Sequence, residues 1–420
     1  MPVLKTFSVL GSTLTVTGYI GTNPLGDTDF AGARVEIFLQ DGSADTYGEG
    51  KTYLGYLTAD ANGLFSGQIA LTTTVNVGDT LTATATSTAN NTSEFSANAV
   101  VTSSNAPIIT PIGPNVTFVE GGTPQVIDAL MTVTDVDSPD FDTGVLTVSI
   151  SQNGTTDDRL QIGNFGSGPG QVDTVGNDVR YEGATIGSYS GGTSASDPLV
   201  ITFNSSASAS AVQAVANSVQ FHNTSEAPST LDREVTFALT DGDGGIAIPQ
   251  TKTVHVQAVN DMPSFTNLDS TPTYIEGGAA VVLDNNVTIY DPELSTLDNF
   301  LGAELTLQRN GGANAQDVFS ATGTLAALID EGPLVVNGIT IGGVLLNAGG
   351  TLILSFNGNA TNTLVNQAMQ QIAYSNTSSS PPASVQINWT FDDGNTGAQG
   401  NGGAQQVLSS TTVTIIALND

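Results

Sequence analysis

The chain has 420 residues, with 8 Lys plus Arg against 40 Asp plus Glu, a net charge of −32 and a pI near 4.1. A surface this acidic repels nucleic acid and anionic membranes and makes divalent cations the natural counter-charge. A hydrophobic fraction of 39% supports packed cores rather than disorder, and the absence of cysteine excludes disulfides and thiolate metal sites.

Residues 1–103 show short alternating runs: TLTVTGYI, ARVEIFLQ, KTYLGYLTAD, GLFSGQIAL, DTLTATATS and SANAVV. The alternation predicts strands, and Asp60-Ala61-Asn62-Gly63 predicts a hairpin turn. Six or seven strands in about 100 residues predict an immunoglobulin-like β-sandwich, with Val35, Ile37 and Leu39 facing Leu81, Ala83 and Ala85. The first residues alternate like a strand and carry no continuous apolar signal region. No run of 18 apolar residues occurs, so no membrane insertion is expected. The chain reads as a piece of a longer exported protein.

Residues 107–261 and 262–420 are one unit written twice. FVEGG, TDVDSPD, TDGDGG and AVND in the first copy answer YIEGG, YDPELS, DDGNTG and ALND in the second. Glu120 and Glu276, like Asp135 and Asp291, are 156 positions apart, while Phe203/Phe356 and Asn223/Asn376 are 153 apart. So constant a spacing means a tandem repeat. Both copies are rich in Val, Ile, Thr and Phe at period two, which predicts strands. Residues 207–219 and 362–373 instead place apolar residues at helical spacing, predicting one short helix per repeat. The expected fold is all-β: tandem Ig-like and cadherin-like sandwiches in a linear rod.

Catalytic constellations are poor. His222 and His255 lie in strands, and no nucleophile elbow, metalloprotease or phosphate-loop motif occurs. The expectation is a protein without enzymatic activity of its own. Aromatics make up 6% of the chain, with a single tryptophan, Trp389, which argues against an extended sugar-stacking platform. Acidic clusters are the remaining chemistry. A turn brings Asp135, Asp137, Asp140 and Asp142 together, and crowded carboxylates want a cation. TDGDGG reads equally as a hairpin turn. Asp41, Asp45 and Glu49 form a weaker cluster.

The ordered set VEGG, TDVD, LDRE, TDGDGG and AVNDMP resembles an enlarged cadherin-like repeat of giant bacterial surface adhesins, of the RTX-type large exoproteins. YGEGKTYLG, TADANG and ATSTANNTSEFS resemble the Ig-like modules of such proteins. The resemblance implies Ca2+ between successive domains. It implicates Glu120, Asp232, Glu234, Asn260, Asp261, Asp291 and Glu293 as ligands, to which the acid-rich turn adds Asp135 and Asp137. The second repeat lacks the D-R-E, and the linker before the first repeat lacks an acid. Together these features predict a calcium-stiffened stalk or adhesion segment at the bacterial cell surface. Its partners would be neighbouring repeats of the same long chain, or cell-surface, matrix or self partners. A self-assembling filament or S-layer subunit, and the accessory domains of a secreted enzyme, remain alternatives.

Overall fold

The computed structural model describes residues 1–10, 12–24, 27–42, 46–103, 105–138 and 140–418. Asp45 of the weak acidic cluster and the closing Asn419-Asp420 lie outside the described residues. The chain divides into two compact units. One comprises Met1–Phe118, Thr123–Asn223 and Leu231–His255; the other comprises Val119–Gly122, Thr224–Thr230 and Val256–Asp420. The protein is all-β, with three short α-helices among the described residues.

The first unit opens with two four-stranded sheets. One runs in the order Leu64–Ala70, Thr13–Ile20, Pro2–Leu10, Thr102–Ser103; the other runs Gly50–Thr58, Arg34–Gln40, Thr80–Thr86, Ala99–Val100. Their shared core holds Leu14, Val16, Val35, Ile37, Leu81 and Ala83, all at 0% exposure, so the alternation in the sequence is the alternation of the pleat. An eight-stranded sheet follows, in the order Val116–Val119, Gln250–Gln257, Arg233–Leu239, Val145–Gln152, Leu199–Phe203, Ala184–Ser190, Asp178–Tyr181, Val172–Val175. A three-stranded sheet (Gln125–Val126, Val219–Asn223, Asp158–Ile162) accompanies it. Helix α1, Ala209–Ala216, is capped by the Ser208 hydroxyl and buries Ala211, Val212, Val215 and Ala216.

The second unit repeats this plan. Its seven-stranded sheet runs Thr273–Ile275, Gln406–Ile416, Ser384–Asp392, Glu304–Arg309, Thr351–Phe356, Ile339–Ala348, Pro333–Val336, accompanied by a three-stranded sheet (Val281–Val282, Ile372–Asn376, Asp317–Ala321). Trp389 lies at 0% exposure among Leu305, Leu307, Phe391 and Ile387, a core residue. This unit contains two helices, α2 at Pro292–Leu297 and α3 at Asn362–Met369. Helix α3 matches the periodic segment; α2 is an addition. Asp291 caps it with its side chain and Pro292 opens it, so a signature that reads as acidic loop is also a helix start.

Each repeat buries an Asp–Asn pair and neutralises it with an arginine. In the first, Arg233 Nε donates to Asp158 Oδ2 at 2.9 Å and Asn223 Nδ2 to Oδ1 at 2.7 Å. In the second, Arg309 Nε donates to Asp317 Oδ2 at 2.8 Å and Asn376 Nδ2 to Oδ1 at 2.9 Å. The arginine has moved to another strand. That accounts for the D-R-E being present once: its arginine is structural, and Arg309 serves in the second copy.

Candidate metal centre

The second unit gathers carboxylates from three chain segments. Glu120 sits where the strand Val116–Val119 turns at Gly121, which has φ of +67°. Its backbone N–H donates to Gln257 O at 3.0 Å, and its Oε2 accepts from Val259 N at 2.7 Å. The connection at 260–261 is pinned by Asn260 N donating to Asn401 O at 2.7 Å. Asp261 N then donates to Glu293 Oε1 at 3.3 Å. The start of α2 supplies the third segment: Asp291 Oδ1 accepts from Leu294 N at 2.9 Å, and Glu293 lies in the first turn. Glu120, Asp261 and Glu293 each offer an oxygen, all within 4.8 Å of one another.

Seven oxygens in this unit are buried and without a hydrogen-bond partner among the described residues, and five of them belong to this set: Glu120 Oε1, Asn260 Oδ1, Asp261 Oδ2, Asp291 Oδ2 and Glu293 Oε2. Four belong to carboxylates and the fifth to an amide. Burying such acceptors without donors is costly, so they call for a bound positive charge. Asp393 plays a different part. Its Oδ2 accepts from Asn260 Nδ2 at 2.7 Å and from Gln405 N at 3.0 Å, and its Oδ1 accepts from Asn395 N at 2.9 Å. It holds the Asn260 amide and leaves that residue's carbonyl oxygen unpaired.

The electrostatics agree. Burial pushes the Glu120 carboxyl up to about 7, with Asp261 and Glu226 adding repulsion against the Val259 hydrogen bond. Burial likewise pushes Glu293 up to about 8, reinforced by Asp291 and Asp261. Asp261 and Asp291 are raised as well, first by burial, then by Glu226 and Asp393 respectively. An all-oxygen set of hard acceptors suits a hard cation such as calcium.

The first unit carries a related cluster. Asp135 Oδ1 accepts from Asp137 N at 3.1 Å and Ser138 N at 3.2 Å, while its Oδ2 is buried without a partner among the described residues. Asp241 Oδ1 accepts from Asp243 N at 2.8 Å and Gly245 N at 2.9 Å, and its Oδ2 is equally unpaired. Gly245 is required there, since a Cβ would collide with Asp241 Oδ2 and the Asn105 carbonyl. Asp137 Oδ2 accepts from Asn105 N at 2.9 Å, the counterpart of Glu293 accepting from Asp261 N, with each partner 156 positions on. Burial pushes Asp241 up to about 6, with Asp135 and Asp243 adding to it. The linker has no acid, yet carboxylates gather beside it from two loops.

Asp232 and Glu234 are not in the three-carboxylate group. Asp232 Oδ1 lies 2.8 Å from His255 Nδ1 at the surface, and Glu234 sits in the strand Arg233–Leu239 opposite Thr253. Sequence reasoning passes over Asp393 and Glu226 and leaves Asp241 open between a turn former and a cation ligand. Asp393 lies in DDGNTG where Asp241 lies in TDGDGG, and that recurrence at one place in both repeats is the available signal.

No family model matches the chain. Among solved structures it is similar to protocadherin gamma B2 extracellular cadherin domains 1–5, at 13% identity and a TM-score of 0.29, with 100% of this chain and 58% of that one covered. Mouse cadherin-23 EC22–24 aligns at 12% identity and a TM-score of 0.26, covering 98% and 93%. The fibronectin(III)-like modules of Clostridium thermocellum CbhA align at 13% identity and a TM-score of 0.22, covering 61% and 94%. The chain thus spans little more than half of the protocadherin structure. The all-β fold described above stands on its own strands and sheets.

Proposed function

We propose that this chain is a non-enzymatic, calcium-stiffened stalk or adhesion segment of a large extracellular bacterial surface protein. The observation that carries the reading is the set of five buried, unpartnered oxygens around Glu120, Asp261 and Glu293. Glu120, Asn260, Asp261, Asp291 and Glu293 would hold the ion. It would supply the missing positive charge and tie together the end of one strand, the 259–261 connection and the start of α2. Asp135, Asp137 and Asp241 would form a second centre in the first unit. The division into three β-sandwiches, 1–103, 107–261 and 262–420, belongs to the same proposal, with neighbouring repeats as the first partners. The exterior location fits the absence of cysteine; no helix among the described residues is long and apolar enough to cross a membrane.

The test is calorimetric titration of the whole chain with calcium after chelation. Wild type is expected to bind, and Asp261→Asn to lose at least tenfold in affinity at one site while keeping its β circular dichroism. Asp232→Asn is expected to leave binding within about twofold. Small-angle scattering should differ between calcium and chelator for the wild type and barely differ for Asp261→Asn. Absence of any calcium heat, or scattering profiles that superimpose in calcium and chelator, overturns the reading.

A further inference from the structure

The outer face of the sheet built on Arg34–Gln40 and Gly50–Thr58 carries a cluster that the acidic centres do not explain. Among the described residues four tyrosines are exposed, and two of them lie in the strand Gly50–Thr58: Tyr53 at 46% and Tyr56 at 52%. Alternation puts Val35 and Ile37 in the core, so Arg34, Glu36 and Phe38 face outward. Tyr53 and Tyr56 are three residues apart and would ordinarily point to opposite faces. The ladder slips between Ile37 and Phe38, pairing Ile37 with Gly55 and Phe38 with Tyr53. This bulge returns both tyrosines to the same face.

The side chains form a continuous strip. Phe95 and Phe38 meet edge to face at 5.8 Å, and Phe38 and Tyr53 at 5.6 Å. Arg34 Nη2 donates to the Tyr53 hydroxyl at 3.2 Å, and its guanidinium lies 4.1 Å from the Tyr56 ring centroid. Gly50, lacking a side chain, leaves room for Phe38 and Phe95. Arg34 also pairs with Glu36 at 3.0 Å, so the strip is held in place from both sides. Composition argued against an extended stacking platform. Composition does not show that the few surface rings are gathered in one place.

We propose that this face binds an uncharged polysaccharide. Exposed, oriented rings offer flat apolar faces to the C–H surfaces of sugar rings, while fixed polar groups between them meet hydroxyls. Charge selects the occupant. An anionic ligand meets a chain of net charge −32, and a cationic one is drawn to carboxylates rather than to a strip where the Arg34 guanidinium already lies over one face of Tyr56. The Arg34–Glu36 pair is neutral overall and presents donors and acceptors side by side, which is the complement of a hydroxyl. Tyrosine suits such a surface because it gives a large, amphipathic contact at small entropic cost.

Affinity electrophoresis of the full chain, in native gels containing soluble mixed-linkage β-glucan, galactomannan or dextran, tests the proposal, with polygalacturonate as the anionic comparison. At least one neutral polymer is expected to retard the wild type, equally in calcium and in chelator. Tyr53→Ala/Tyr56→Ala is expected to abolish the retardation, a loss of at least tenfold in affinity. Tyr53→Phe/Tyr56→Phe, which keeps the rings, is expected to stay within about threefold of wild type. The proposal is overturned by retardation in polygalacturonate alone, by no retardation in any gel, or by an unchanged double alanine variant. Persistence in chelator keeps this outcome separate from that of the calcium reading.

Discussion

Individual side chains here are best understood by asking which charges have partners. Arg233 and Asp158 are both at 0% exposure and joined at 2.9 Å. Removing one partner of such a pair leaves a buried charge uncompensated, which costs about 3–5 kcal/mol. Arg233→Ala should therefore lower the urea unfolding free energy by about that amount, while Arg233→Met/Asp158→Asn should recover a large part of it. Arg309→Ala should cost less. Asp317 keeps the Tyr374 hydroxyl at 2.6 Å and the Asn376 amide, and Arg309 itself is 21% exposed. Equal losses for the two arginines would refute this ordering. The carboxylates of the proposed cation site are the opposite case. They are buried among one another, so neutralising one should relieve repulsion in chelator while weakening calcium binding.

At the level of elements, α2 joins folding to the site. Asp291 caps the helix through Oδ1 and leaves Oδ2 buried and without a hydrogen-bond partner among the described residues. Serine is as good a cap as aspartate but carries no charge. Asp291→Ser should keep the melting temperature in chelator within a few degrees of wild type and reduce calcium affinity at least tenfold. Loss of folding together with calcium binding would show the residue to be structural alone. The strands, the tandem repeat and helices α1 and α3 were legible, because period two and period 3.6 survive in residues such as Val35-Ile37 and Val212-Val215. Helix α2 was not, because six residues opening on Pro-Glu behind the Asp291 cap hold too few apolar positions to show a period. TDGDGG leaves Asp241 open between turn former and cation ligand, and a turn former it is: its Oδ1 accepts from two backbone amides in an Asx turn. Local chemistry accounted for one oxygen. The other oxygen is buried beside Gly245 and the backbone of Asn105, and Asn105 is too far away in sequence for a local pattern to encode.

For the whole molecule, the sharpest consequence of the proposed cation site is that calcium and protons would compete, and the sign follows from the carboxyls. Glu120 is pushed up to about 7, Glu293 to about 8 and Asp241 to about 6, all above the ordinary carboxylate range of the unfolded chain. Above the unfolded values, the folded protein therefore holds protons that the unfolded chain has released. The contribution of these groups to stability is complete below the unfolded carboxylate values and is lost as pH rises from there through about 6 to 8. In chelator, the melting temperature should fall as pH rises across that window. Calcium requires the same oxygens without their protons, so binding releases protons and strengthens with pH until about 8. In saturating calcium the fall should vanish or reverse, and the gap between the two melting curves should widen from pH 5.5 to 8.5. Calorimetry in buffers of different ionisation enthalpy should register net proton release at pH 7. Glu120→Gln/Glu293→Gln replaces both acids by neutral amides of the same shape. Its melting temperature in chelator should depend less on pH than that of wild type, and calcium should raise it little. Parallel melting curves with and without calcium, together with no proton release, would mean that the buried carboxylates do not form a cation site.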